Sequence, residues 1–104
     1  MNDFNLSDYL VANKDNKEDY PMVPRIRCAD GFHMSVQCNS ANYCKPREDR
    51  SDFYYMVEVG FPSSKPELIM NYAENSDKPT KSIYGYVPIE LVQELIELHG
   101  GVAK

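Results

Sequence analysis

The chain has 104 residues, with 11 Lys+Arg against 16 Asp+Glu for a formal net charge of −5, and eight Tyr, four Phe and no Trp. That length suits one domain burying about 60–70% of the surface its unfolded chain exposes. The acidic balance argues against broad nucleic-acid binding, which needs a basic footprint.

The stretch "NLSDYLVAN" predicts a short helix, with Ser7 as N-cap, Asp8 in the first turn and Leu6, Leu10 and Val11 as its apolar stripe. Residues 13–21 are polar and charged and end at Pro21, so they read as an exposed linker. Residues 1–21 are then a short helix and linker ahead of a single α+β domain over 22–104. The opening residues lack the basic and apolar regions of a secretory signal. No apolar run approaches the ~20 residues needed to span a bilayer. Together with three cysteines, this predicts a cytoplasmic protein with reduced thiols.

"IRCADGFHMSVQC" predicts a hairpin within residues 23–38. With a three-residue loop at Ala29-Asp30-Gly31 and Gly31 left-handed, Cys28 pairs with Phe32, Ile26 with Met34 and Pro24 with Val36. Ile26, Cys28, Phe32, Met34, Val36 and Cys38 then share an apolar face, and Arg25, Arg27, His33, Ser35 and Gln37 a polar one. A two-residue loop would mix the faces, which burial disfavours.

Residues 39–51 are a polar loop carrying Cys44. The segment 52–61 predicts a strand near 52–60, with Phe53, Tyr55, Val57 and Val59 on one face. Ser64 and Glu67 have capping-box spacing ahead of a helix near 65–74. A strand near 82–87 includes Gly85, where close backbone approach is expected. The helix near 88–99 has Pro88 at its start, Ile89, Val92, Leu95, Ile96 and His99 at helical spacing, and Gly100 at its end. Mixed helices and strands with a hairpin and no βαβ repeat predict an α+β fold, with helices on a small, mostly antiparallel sheet. The unpaired edges of such a sheet are where a homodimer would form.

Cys28, His33, Cys38 and Cys44 are zinc-capable ligand types, but their C-x4-H-x4-C-x5-C spacing contains no tight knuckle, and the hairpin register turns His33 away from Cys28 and Cys38. No metal or other cofactor is therefore expected, and Cys28 and Cys38 read as small core hydrophobes. Cys44 lies two residues before Pro46 with Lys45 and Arg47 beside it, cations that lower a thiol pKa. No base or oxyanion site accompanies it, and the nucleotide, hydrolase and metalloprotease motifs are missing, so a non-enzyme is expected.

All four arginines lie between residues 25 and 50, a stretch of net +2 in a chain of net −5. Arg25, Arg27, His33, Arg47 and Arg50 are the first candidate binding residues, since guanidinium forks suit carboxylates and phosphates. The competing reading is internal pairing with Asp30, Glu48, Asp49 or Glu58. Glu90, Glu94 and Glu97, with no lysine at i+4, are a second candidate surface, against an ordinary solvated helix face.

From Pro24 onward, "VPRIRCADGFHMSVQ", "VEVGFPS", "NYAENSDKPT" and "YGYVPIELVQELIELHGG" resemble small proteins encoded by bacteriophages and prophages. The resemblance implies a dispensable phage or mobile-element protein that binds and blocks a host protein in the bacterial cytoplasm, including antiviral defence in the manner of an anti-CRISPR. The alternative is capture of a small anionic ligand, such as a nucleotide signal, by Arg25, Arg27, His33 and nearby tyrosines.

Overall fold

The computed structural model describes residues 4–104. The elements, in order, are α1 (Leu6–Ala12), β1 (Ile26–Arg27), β2 (His33–Gln37), β3 (Met56–Gly60), a 3₁₀ segment (Glu67–Tyr72), a short 3₁₀ turn (Pro79–Lys81), β4 (Ile83–Pro88) and α2 (Ile89–Leu98). The strands form one antiparallel sheet in the order β1-β2-β3-β4, so the fold is α+β.

The hairpin register is the expected one: Ile26 pairs with Met34, and Cys28 N–H donates to Phe32 O at 2.7 Å. Gly31 has φ +97°, and the expected apolar face is wholly buried. Two expectations on this hairpin fail. Gln37 is buried, and the Pro24–Val36 pair is replaced by its side chain. Gln37 Oε1 accepts from Val23 N–H at 2.9 Å, and its Nε2 donates to Val23 O at 2.9 Å. Pro24 has no N–H to offer a ladder, so a carboxamide pairs with the residue before it.

β3 begins later than expected. Val57 and Val59 are buried, but Phe53 and Tyr55 are 57% and 45% exposed, while Tyr54 is 2% exposed. Alternation starts only at Met56, because Tyr55 and Met56 N–H both donate to Lys45 O and break the pleat there. β4 carries a bulge: Val57 faces Val87 but Val59 faces Tyr84, two residues against three. Tyr84 and Val87 therefore both reach the core, and Tyr86, at φ +52°, is turned outward.

The helix expected near 65–74 is a 3₁₀ segment without a side-chain cap. Ser63 is bonded to β2, its N–H to His33 O and its Oγ accepting from His33 N–H, and Glu67 pairs with Lys65 at 3.3 Å, so the Ser64–Glu67 box does not form. In α1 the cap is Asn5 rather than Ser7, its Oδ1 accepting from Asp8 N–H at 3.0 Å.

Leu6 and Leu10 lie in the core, and Gln93 of α2 holds the chain ahead of them, accepting from Leu6 N–H and donating to Phe4 O. Residues 13–20 are largely exposed, as a linker should be, but Lys14 and Asp15 are pinned. α2 ends as expected, with Gly100 N–H on Glu97 O and Gly101 N–H on Ile96 O, a Schellman closure. His99 also contacts the hairpin. It stacks on Phe32 at 4.0 Å and pairs with Asp30 at 2.7 Å, bolting the helix end to the hairpin turn.

Both outer strands have neighbours among the described residues. Cys28 bridges to Val102 and Ala103 N–H donates to Arg27 O beside β1. Along β4, Ala73 bridges to Tyr84, Glu74 N–H donates to Ile83 O, and Tyr86 N–H donates to Tyr43 O.

Candidate functional site

Arg25 and His33 are brought together on the outer face of the hairpin. Arg25 Nε donates to His33 Nδ1 at 2.7 Å, and its Nη2 to Phe61 O. Accepting that bond requires an unprotonated Nδ1. Partial burial and the charges of Arg25 and Arg27 accordingly hold His33 below the usual histidine range. Arg27 is exposed, and its side chain has no hydrogen-bond or ion-pair partner among the described residues.

Arg47 and Arg50 do other work. Arg47 donates to Ser40 O at 3.2 Å and lies 5.6 Å over the Tyr43 ring, whereas Arg50 donates to Asp15 O at 2.8 Å, tying the loop to the residues after α1. Among the described residues the ion pairs are Lys65–Glu67 and His99–Asp30, so no arginine is neutralised by a carboxylate. Internal pairing with Asp30, Glu48, Asp49 or Glu58 does not occur. Asp49 accepts instead from the Ser40 hydroxyl and N–H, and Glu58 from Asn42 Nδ2 and Tyr43 N–H.

Glu90, Glu94 and Glu97 are exposed on α2, and Glu97 accepts from Gln93. They form an exposed acidic stripe on the outer face of the helix.

An aromatic surface without a local sequence signature lies nearby. Tyr43 packs beside Tyr86 with ring centroids 5.8 Å apart, and Phe53 beside Tyr55 at 6.0 Å. Tyr55 N–H donates to Lys45 O, so the two segments are neighbours. All four rings are exposed. Gly85 makes room for Tyr43, since an added Cβ would meet Tyr43 Cβ at 3.1 Å. This is the close approach expected at Gly85, made by a side chain. The three non-glycine residues with positive φ among those described are Tyr20, Phe61 and Tyr86, at +53°, +49° and +52°, and all three rings are exposed. A left-handed backbone costs about 1–2 kcal/mol for an ordinary residue. The available signal was composition: eight tyrosines are more than so small a core absorbs.

The sulfur sites differ from expectation. Cys44 is fully buried, and the cation near it is Lys14 rather than Lys45 or Arg47. Lys14 Nζ donates to Cys38 O, to Asp49 O at 2.9 Å and to the Tyr54 hydroxyl at 3.2 Å. Burial pushes the Lys14 pKa down, and it pushes Tyr54 up to about 12. Cys28 stands apart as a core thiol, raised to about 11 by burial and the Asp30 charge. Among the described residues there is no group of three or more His, Cys, Asp or Glu placed to hold a metal, and no helix long and apolar enough to cross a membrane. Comparison with family models, curated proteins and solved structures finds no match to this chain.

Proposed function

We propose that the chain is a binding protein that occupies a surface of a host protein, with Tyr43, Tyr86 and Arg47 at the centre of the contact and Phe53 and Tyr55 beside them. One observation carries this: aromatic rings stand in solvent, at Tyr86 on a strained backbone, beside a guanidinium that no carboxylate neutralises. Interface hot spots are enriched in tyrosine and arginine, and strain of this kind clusters at binding sites. The partner surface that fits is an apolar hollow rimmed by carboxylates, and association should weaken as salt rises. The resemblance to phage and prophage proteins supplies the setting, a bacterial cytoplasm with an antiviral defence component as the target class.

The test is capture from a bacterial lysate at low salt, with Tyr43→Ser/Tyr86→Ser run beside Arg25→Ala/Arg27→Ala. A partner retained by the arginine variant and lost by the tyrosine variant is the expected result. Equal capture by wild type and the tyrosine variant removes the aromatic surface from the contact. A second reading rests on Arg25 and Arg27, which flank His33 free of carboxylates: they hold the phosphate of a nucleotide. Thermal shift across a nucleotide panel decides it, since ligand at 100-fold over Kd adds about 2.7 kcal/mol. An unmoved melting curve rejects that reading.

A further inference from the structure

Cys38 leaves the end of β2, and Cys44 returns six residues later to the same carbonyl. The two Sγ atoms lie 3.6 and 3.7 Å from Pro46 O. Cys38 Sγ is also 3.5 Å from Met56 O, and Cys44 Sγ 3.4 Å from Asn39 O. The two side chains therefore converge on one carbonyl, held there by the backbone of Asn39, Pro46 and Met56. The Lys14 ammonium stands beside them, and Lys14 and Tyr54 form part of the wall of a cavity of about 210 Å3 that also involves Leu10, Arg50 and Asp52. Lys14 thus lies both on the wall of that cavity and near the two thiols.

We infer that Cys38 and Cys44 are a reversible dithiol–disulfide pair that reacts with oxidised low-molecular-weight thiols such as glutathione disulfide. The Cys44 thiolate attacks one sulfur of glutathione disulfide, whose S–S bond breaks, and the first glutathione leaves as a thiolate and takes up a proton. Cys38, giving up its proton, then attacks Cys44 Sγ and expels the second glutathione. Two protein thiols are oxidised to one disulfide, one glutathione disulfide is reduced to two thiols, and the protons balance.

The electrostatics agree with this order of attack. Cys38 donates its S–H to Cys44, which holds Cys44 below the usual thiol range and pushes Cys38 well above it. The Lys14 charge favours both thiolates. Closure would join the two ends of the segment carrying Tyr43. The pairing stands whether or not Tyr43 is a contact residue.

The full chain, equilibrated in glutathione buffers from reducing to oxidising, is quenched with acid, unfolded, alkylated and mapped by mass spectrometry. The expected product joins the Cys38 and Cys44 peptides, with Cys28 alkylated throughout, and reduced glutathione reverses it. The Cys28→Ser variant closes as wild type does. Cys38→Ser stops at a glutathione adduct on Cys44, and should that variant fail to fold, Cys28→Ser still carries the test. Alkylation of Cys38 and Cys44 at every buffer ratio, a disulfide that includes Cys28, or a lasting glutathione adduct on wild-type Cys44 would overturn the pairing.

Discussion

Cys28 and Cys44 are about equally buried, yet their surroundings have little in common. Around Cys28 the hairpin turn meets the end of α2 through a ring stack, an ion pair and a run of backbone bonds from Ala29, Asp30 and Ala103. Its thiol is raised by burial. Around Cys44 a loop without regular structure is held by side chains and carbonyls from Lys14, Asn39, Pro46 and Tyr54, and the thiol is lowered. One corner is fastened by secondary structure and the other by buried polar contacts. The second kind leaves reactive groups close together, which is where chemistry has room to occur.

The sharpest way to break this contrast is Tyr54→Ala. It removes a buried ring and the hydroxyl that donates to Glu48 O and accepts from Lys14. A loss of about 3–5 kcal/mol is expected in denaturant unfolding, with faster alkylation of Cys44 than of Cys28. Equal speeding of both thiols would mean that the two corners open together.

Lys14→Met leaves the Cys38 carbonyl without its donor, while the Asp49 carbonyl keeps the Tyr54 hydroxyl, and should cost about 1–3 kcal/mol, read from the same unfolding curves. On the other side, His99→Ala loses the stack on Phe32, worth about 0.5–1.5 kcal/mol, and should leave Cys44 alkylation unchanged.

The smallest effects are in acid. Asp30, bonded by Phe32 N–H and His99, and Asp49, bonded by Ser40, are both held below 3.8. Carboxylates depressed in this way add stability that is fully present above about pH 4 and is lost as pH falls through their folded values. His33 is held below 6.5, so the unfolded chain takes up its proton first and stability declines as pH falls through about 6.5. Melting temperatures from about pH 3 to pH 8 should show both slopes. Asp30→Asn and Asp49→Asn should each flatten the lower one, and His33→Gln the upper.

The hairpin was legible because its signals are local. Gly31 sits where a left-handed residue is needed, and one register sorts apolar from polar side chains. Gly100 after an apolar stripe marked the helix end for the same reason. The loop corner was not legible, since Cys38 and Cys44 together are surrounded by residues from 14 to 56 and no short window contains them. Tyr54 and Tyr55 were assigned to the wrong faces because alternation was extended through the carbonyl of Lys45, where one oxygen takes two donors. Ser64 carried a sound capping pattern but follows a residue already bound to β2. For the candidate contact, the sequence pointed to arginine and located Arg47. It did not separate Arg47 from Arg25, whose donors are partly engaged by His33 and Phe61.

Gln37 has a larger effect than its size implies. A carboxamide presents a donor and an acceptor side by side, much as a peptide unit does, so Val23 is docked by a side chain where a third rung would otherwise sit. A ladder made that way does not propagate: the backbone upstream inherits no pleat direction from β2. Upstream of that joint the chain follows no strand, and Lys14 brings its amine to the Cys38 carbonyl beside the sulfur pair.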